Sequence, residues 1–231
     1  MRVVLSGPNW RSVLRQFTLS LSLLSLCLML LTGCSFTKIA ANGTVDVMWE
    51  ASPSITQETD VDLAEAGIVG NLKMMEGLAL VVPKNKRLYR MLADGFSSYA
   101  FGFLEPRLWR MDADSPKGMA FAARIKMLHE RAVTYARTWA SLVVPKVLKA
   151  ADKDLGTLKT ALKEDFDDEA LEAIFWLGHT WSLLVAADTE DLENVGNLSI
   201  AEALLNRVYK SKPKYEDGGL AATFGTAQSQ L

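Results

Sequence analysis

The 231-residue chain holds few side chains of the types that make or break bonds. Its histidines are His129 and His179, and its cysteines are Cys27 and Cys34. The run His129-Glu130-Arg131-Ala132-Val133 opens like the zinc-protease helix, in which two histidines four residues apart hold the metal. Val133 stands where the second histidine is required, and no cysteine joins the two distant histidines in a zinc set. Glu164-Asp165-Phe166-Asp167-Asp168-Glu169 supplies carboxylates as a calcium loop does, but lacks the glycine and the later glutamate of that loop. An acidic helix start, favoured by the helix dipole, accounts for it better. Neither a nucleophile elbow nor a glycine-rich phosphate loop occurs. These residues predict no catalytic group, no metal site and no cofactor.

Cys34 is the exception, and its chemistry is acylation. Arg2, Arg11 and Arg15 precede an uncharged apolar run from Phe17 to Leu31, and no acidic residue occurs before Leu31-Thr32-Gly33-Cys34. This is the layout of a secretory signal peptide, with a cysteine replacing the usual small residue after the cut, as in a bacterial lipobox. The run is too short to cross roughly 30 Å of hydrocarbon, which takes about 20 apolar residues. Residues 1–33 are thus expected to be removed, Cys27 with them, leaving Cys34 lipidated on its sulfur and its new amine. One acyl chain anchors marginally, whereas several anchor for practical purposes permanently. Ser35 lacks the acidic character that favours inner-membrane retention, so the expected location is the periplasmic face of the outer membrane, with the inner membrane second.

Without the leader the chain has 22 basic residues, the total of 25 less three leader arginines, against 27 acidic ones, a net charge of about −5. A mildly acidic chain without a basic cluster argues against nucleic acid as a partner. No cysteine follows Cys34, so stability must come from apolar burial, and the length suffices for one domain with a substantial core.

The apolar spacing is helical throughout, which predicts an all-α fold. Residues 34–59 read as a lipidated tether that turns helical part-way, and 60–231 as the helical domain. Leu63, Ala66, Val69, Leu72, Met75, Leu78 and Val82 follow steps of three or four until Pro83. Arg87 to Leu104 repeats the pattern with Leu88, Met91, Leu92, Phe96, Tyr99 and Phe103. Ser115-Pro116 has the cap-then-proline form of a helix start, with the helix reaching about Val144 before Pro145. Shorter helices are expected over Val147–Ala151 and Leu155–Glu164, then a long one from Asp167 to about Ala187. Glu190–Val195, Ser199–Ser211 and a partial helix from Gly219 follow. Pro83-Lys84 with Leu88, Leu92 and Gly95-Phe96 parallels Pro213-Lys214 with Gly218, Ala222 and Phe224-Gly225. That echo predicts tetratricopeptide-like helix pairs packed as an irregular solenoid or bundle, although no clean 34-residue period is present.

Several blocks recur in family order. They are Leu31-Thr32-Gly33-Cys34-Ser35, Lys38-Ile39-Ala40, Asp60-Val61-Asp62-Leu63-Ala64, Val82-Pro83-Lys84-Asn85, and Leu92 through Glu105 with its Gly95-Phe96 and Tyr99-Ala100-Phe101. Arg131-Ala132-Val133-Thr134-Tyr135-Ala136, Phe175-Trp176 to Trp181-Ser182-Leu183-Leu184, and Asp217-Gly218-Gly219-Leu220 follow. In this succession the chain resembles the T component of lipoproteins associated with tripartite ATP-independent periplasmic (TRAP) transporters, the TatT family. Members usually carry another helix pair after the Gly-Gly turn, so the last repeat is expected to be incomplete. The resemblance implies a periplasmic lipoprotein serving a transporter of small organic acids. It also implies that the transporter's substrate-binding protein is the partner, and that a hydrophobic or organic-acid ligand is bound.

Phe96, Tyr99 and Phe103 share one helical face, and Trp176 and Trp181 lie on another helix. Tyr99, Phe103, Trp176 and Trp181 are expected either to line a cavity for an apolar or amphipathic ligand or to pack the core between helix pairs. The rival to a ligand carrier is a scaffold lipoprotein for envelope assembly without a small-molecule ligand. A homo-oligomer is compatible with either.

Overall fold

The computed structural model describes residues 36–215, together with Leu14, Arg15, Thr18 and Ser20 of the leader. Cys34 and its lipobox, and the C-terminal half of the proline echo from Gly218, lie outside the described residues. The described residues are helical, without a strand among them. Residues 36–51 form α1, followed by α2 (Pro53–Thr56), α3 (Val61–Val81) and α4 (Lys86–Ser98). A π-helical segment over Tyr99–Leu104 leads into α5 (Glu105–Leu108) and then α6 (Pro116–Val143). The chain continues through α7 (Pro145–Ala151), α8 (Leu155–Ala161), α9 (Asp168–Ala187), α10 (Leu192–Gly196) and α11 (Leu198–Ser211).

Each long helix starts where a short polar side chain satisfies the first free backbone N–H groups. The Asp60 carboxylate accepts from the backbone N–H of Asp62 and Leu63 at 3.0 and 3.1 Å. Asn85 accepts from Leu88 at 3.0 Å, and Ser115 Oγ from Gly118 at 3.0 Å with Pro116 beginning the helix. Asp167 accepts from Ala170 at 2.8 Å, so part of the acidic run that imitates a calcium loop caps α9. The helix run breaks at Pro145 as the sequence suggests, and α7 begins at the proline itself, two residues earlier than the expected Val147.

The helices pack in order. α3 lies on α4, α4 on α6, α6 on α9 and α9 on α11, while α7 and α8 form a small pair beside α11. Leu88, Leu92, Leu104, Ile125, Ile174, Leu177, Leu204 and Leu205 are fully buried along this seam. Each contributes about 1.5–3 kcal/mol relative to an exposed side chain. α9 is long and apolar enough to cross a membrane by composition, but most of it is buried as the core helix between α6 and α11. Gly178 makes the α9–α11 contact possible: a Cβ there would sit 3.0 Å from Leu204 Cβ and 3.1 Å from the Ala201 carbonyl.

Two features depart from the spacing. Residues 36–51 do more than tether, because Val45 is fully buried and Ala41 nearly so. Asn85 Nδ2 donates to Asn42 Oδ1 at 2.7 Å and Arg87 pairs with Asp46 at 2.8 Å, so α1 is strapped to the start of α4. The helix expected to run unbroken from Arg87 to Leu104 widens into a π-turn from Tyr99 onward, a form found often at functional sites.

Candidate functional site

The site begins with an unequal division of apolar residues. α4 is sharply two-faced, burying Leu88, Met91, Leu92 and Phe96, whereas α3 is apolar around much of its circumference and buries only Leu72 and Met75. α1 and α2 fold over the remaining surface, and a cleft of about 210 Å³ stays open between them. Its walls are Met48 and Ile55 from α1 and α2, Ile68, Leu72 and Met75 from α3, and Met91 from α4. Gly95 lets α3 approach: a Cβ there would meet Leu72 Cδ2 at 2.8 Å. The polar lining is sparse and includes Ser52, Asn71, Arg90, Asp94 and Ser98.

Arg90 organises that polar edge. Its Nη1 donates to Asp94 Oδ2 at 2.8 Å, and its Nε donates to Glu172 Oε1 on α9 at 3.1 Å. The guanidinium lies between two indoles, with the Trp49 and Trp176 ring centroids each 5.2 Å away. Ser98 Oγ donates to the other Asp94 oxygen at 2.9 Å. Burial works against the Arg90 charge, but Asp94 and Glu172 outweigh it and hold its pKa above the usual value. Burial has the opposite consequence at Asp94, whose carboxyl is held above the usual carboxylate value in spite of Arg90 and Ser98. One cation thus faces two carboxylates, and α1, α4 and α9 meet at a single side chain.

The aromatic residues singled out in the sequence fall into separate places. Tyr99 and Phe103 pair at 6.3 Å on the π-turn, and Arg124 donates to the Tyr99 hydroxyl at 3.1 Å. Trp176 backs Arg90 and meets Phe175 edge-on at 5.4 Å. Trp181 lies under Arg137 at 5.5 Å. Tyr99, Trp176 and Trp181 are buried and Phe103 is half-buried. None of the four is among the residues that line the α1–α4 cleft. Tyr99 directly follows Ser98 on its wall, and Trp176 reaches it through Arg90.

The histidines are placed by the core. His129 is fully buried, with Nε2 2.9 Å from Glu105 Oε1 at the end of the π-turn. His179 stacks on Phe175 at 5.3 Å, and burial together with His129 lowers its pKa to about 4. A second hollow, near 420 Å³, lies between the α6–α7 junction and the acidic run before α9. It is bordered by Lys86, Lys146, Glu164, Asp165, Asp167 and Glu169, and Lys86 already pairs with Glu169 at 2.9 Å.

The order of blocks and the helical seam are those expected of one family, and comparison decides the matter. A family model described as the TRAP transporter T-component matches residues 57–231. The chain belongs to the TRAP transporter T-component family. No curated protein matches the chain. Membership associates this T component with TRAP transport at the cell envelope, and the family is a transporter component and not a known enzyme family. The match begins after α1 and α2, so one wall of the cleft, including Met48, Ile55 and the Trp49 that stacks on Arg90, precedes the matched region.

Proposed function

We propose that this T component is a lipid-anchored accessory protein of TRAP transport that holds a small ligand in the α1–α4 cleft and meets the transporter's substrate-binding protein. The observation that carries the reading is an apolar cleft with one ordered ionic edge in a member of a transporter family. Ligand sites have this composition, mostly apolar walls with a few placed polar groups. Tyr99 and Phe103 follow Ser98 in the chain and pack beside the cleft without lining it, Trp176 supports Arg90, and Trp181 serves packing. The successive α3–α4, α4–α6, α6–α9 and α9–α11 contacts fit a tetratricopeptide-like stack, which offers neighbouring helix pairs to a partner.

Cys34 sets where the meeting takes place. In this reading residues 1–33 are removed, Cys34 carries the lipid, and the protein faces the periplasm from the outer membrane. Cys34→Ser is then expected to move the protein from the membrane fraction to the soluble one with its helical circular dichroism unchanged. Co-purification from envelope extract with the full chain as bait tests the partner. Enrichment of a TRAP substrate-binding protein supports the assignment. Recovery of envelope-assembly proteins without it would sink the assignment in favour of a scaffold.

A further inference from the structure

Resting on the reading that the α1–α4 cleft is a ligand site, we propose that its ligand is a small amphipathic cation, an amine whose head pairs with Asp94 and whose apolar body lies among the methionines. The charge count comes first. Among the described residues that line the cleft Arg90 is the one cation, and it is already committed to Asp94 and Glu172, with the Trp49 and Trp176 rings each 5.2 Å away. Counted over the described residues, the cluster therefore keeps one more negative than positive charge. An organic anion would bring a third carboxylate against Asp94 and Glu172 with only the occupied Arg90 to receive it. An ammonium instead restores neutrality.

The acceptor geometry agrees. A carboxylate offers about four lone-pair directions. Arg90 occupies one on Oδ2 and Ser98 one on Oδ1, which leaves acceptor capacity on both oxygens. The Asp94 side chain is 30% exposed, and Asp94 lines the cleft, so a ligand there has access to it. Burial raises the cost of the Asp94 charge, and a cationic head relieves that cost. Asn71 and Ser52 add side-chain oxygens on the facing walls.

The walls set the size. A space of about 210 Å³ is below the roughly 300–1,000 Å³ of sites for drug-sized ligands, so the body is short. Met48, Met75 and Met91 give it a soft, adaptable lining.

Methyl-labelled methionine spectra of the full chain in zwitterionic nanodiscs read the cleft directly, with n-hexylamine, n-hexanol and hexanoate as probes. Hexylamine is expected to shift the Met48, Met75 and Met91 signals with an affinity at least tenfold above that of hexanoate. Asp94→Asn, which keeps the side-chain shape, is expected to remove most of that preference. Met91→Trp, which fills the cleft, is expected to abolish binding of every probe. Equal binding of all three probes, lost on Met91→Trp, would overturn the charge preference and leave the ligand site standing. Hexanoate binding as tightly as hexylamine, or a preference unchanged by Asp94→Asn, would also overturn the amine. Failure of all three probes to bind at these methionines would overturn both readings.

Discussion

Replacing Arg90 by methionine keeps most of the apolar stem and removes the charge. What remains is Asp94 and Glu172, their side chains 30% and 26% exposed, without the guanidinium that holds them. Breaking a buried pair in this way costs about 3–5 kcal/mol, and partial exposure puts this case at the lower end. The two indoles each lose a cation worth about 0.5–1 kcal/mol. The expected loss is therefore about 4 kcal/mol, or roughly 10 °C in Tm for a domain of this size. The decisive comparison is with Arg90→Met combined with Asp94→Asn and Glu172→Gln, which strands no charge. That triple variant should recover about 2 kcal/mol relative to the single change. Urea unfolding followed by circular dichroism and by indole fluorescence measures both. A single variant within about 1 kcal/mol of the parent, or a triple variant no more stable than the single, would refute the view that Arg90 is the joint of α1, α4 and α9.

Lowering the pH should expose His179. Its folded pKa is about 4 and that of the unfolded chain about 6.5, so the unfolded state takes up the proton first as pH falls. Stability present above pH 6.5 is lost on the way to about pH 4, roughly 3 kcal/mol in all, and His179→Gln should flatten that slope; parallel slopes would contradict it. Asn85→Ala removes both the α4 cap and the bond to Asn42, so it should cost about 1–2 kcal/mol. It should also lower amide-exchange protection over residues 36–51, and unchanged protection there would show that α1 is held by other contacts. Gly178→Val drives a side chain into Leu204 and Leu205 and should cost about 2–3 kcal/mol in thermal unfolding. A neutral result would mean that α9 and α11 can separate freely.

The helices were legible because their signals are local. Asp60, Asn85, Ser115 and Asp167 are polar caps just before apolar steps of three or four, and each caps in the structure. The π-turn carries no such signal: Tyr99-Ala100-Phe101-Gly102-Phe103-Leu104 reads equally well as ordinary helix. The cleft was harder still. Arg90 and Asp94 are four residues apart on one helix and could have been paired from spacing alone. Glu172 lies 82 residues beyond Arg90, and Trp49 sits in a stretch that reads as tether, so only the fold brings them to the guanidinium. Aromatic character drew attention to Tyr99, Phe103, Trp176 and Trp181, whereas the cleft is walled mainly by methionine, isoleucine and leucine, residues that in sequence look like core.

Direct binding between the purified full chain, held in a nanodisc on a biosensor, and the TRAP substrate-binding protein of the same organism tests the central claim. Saturable binding in the micromolar range or tighter is expected, together with no response on a nanodisc lacking the T component. A substrate-binding protein that shows no saturable association at any accessible concentration, while the T component is folded by circular dichroism, would contradict it.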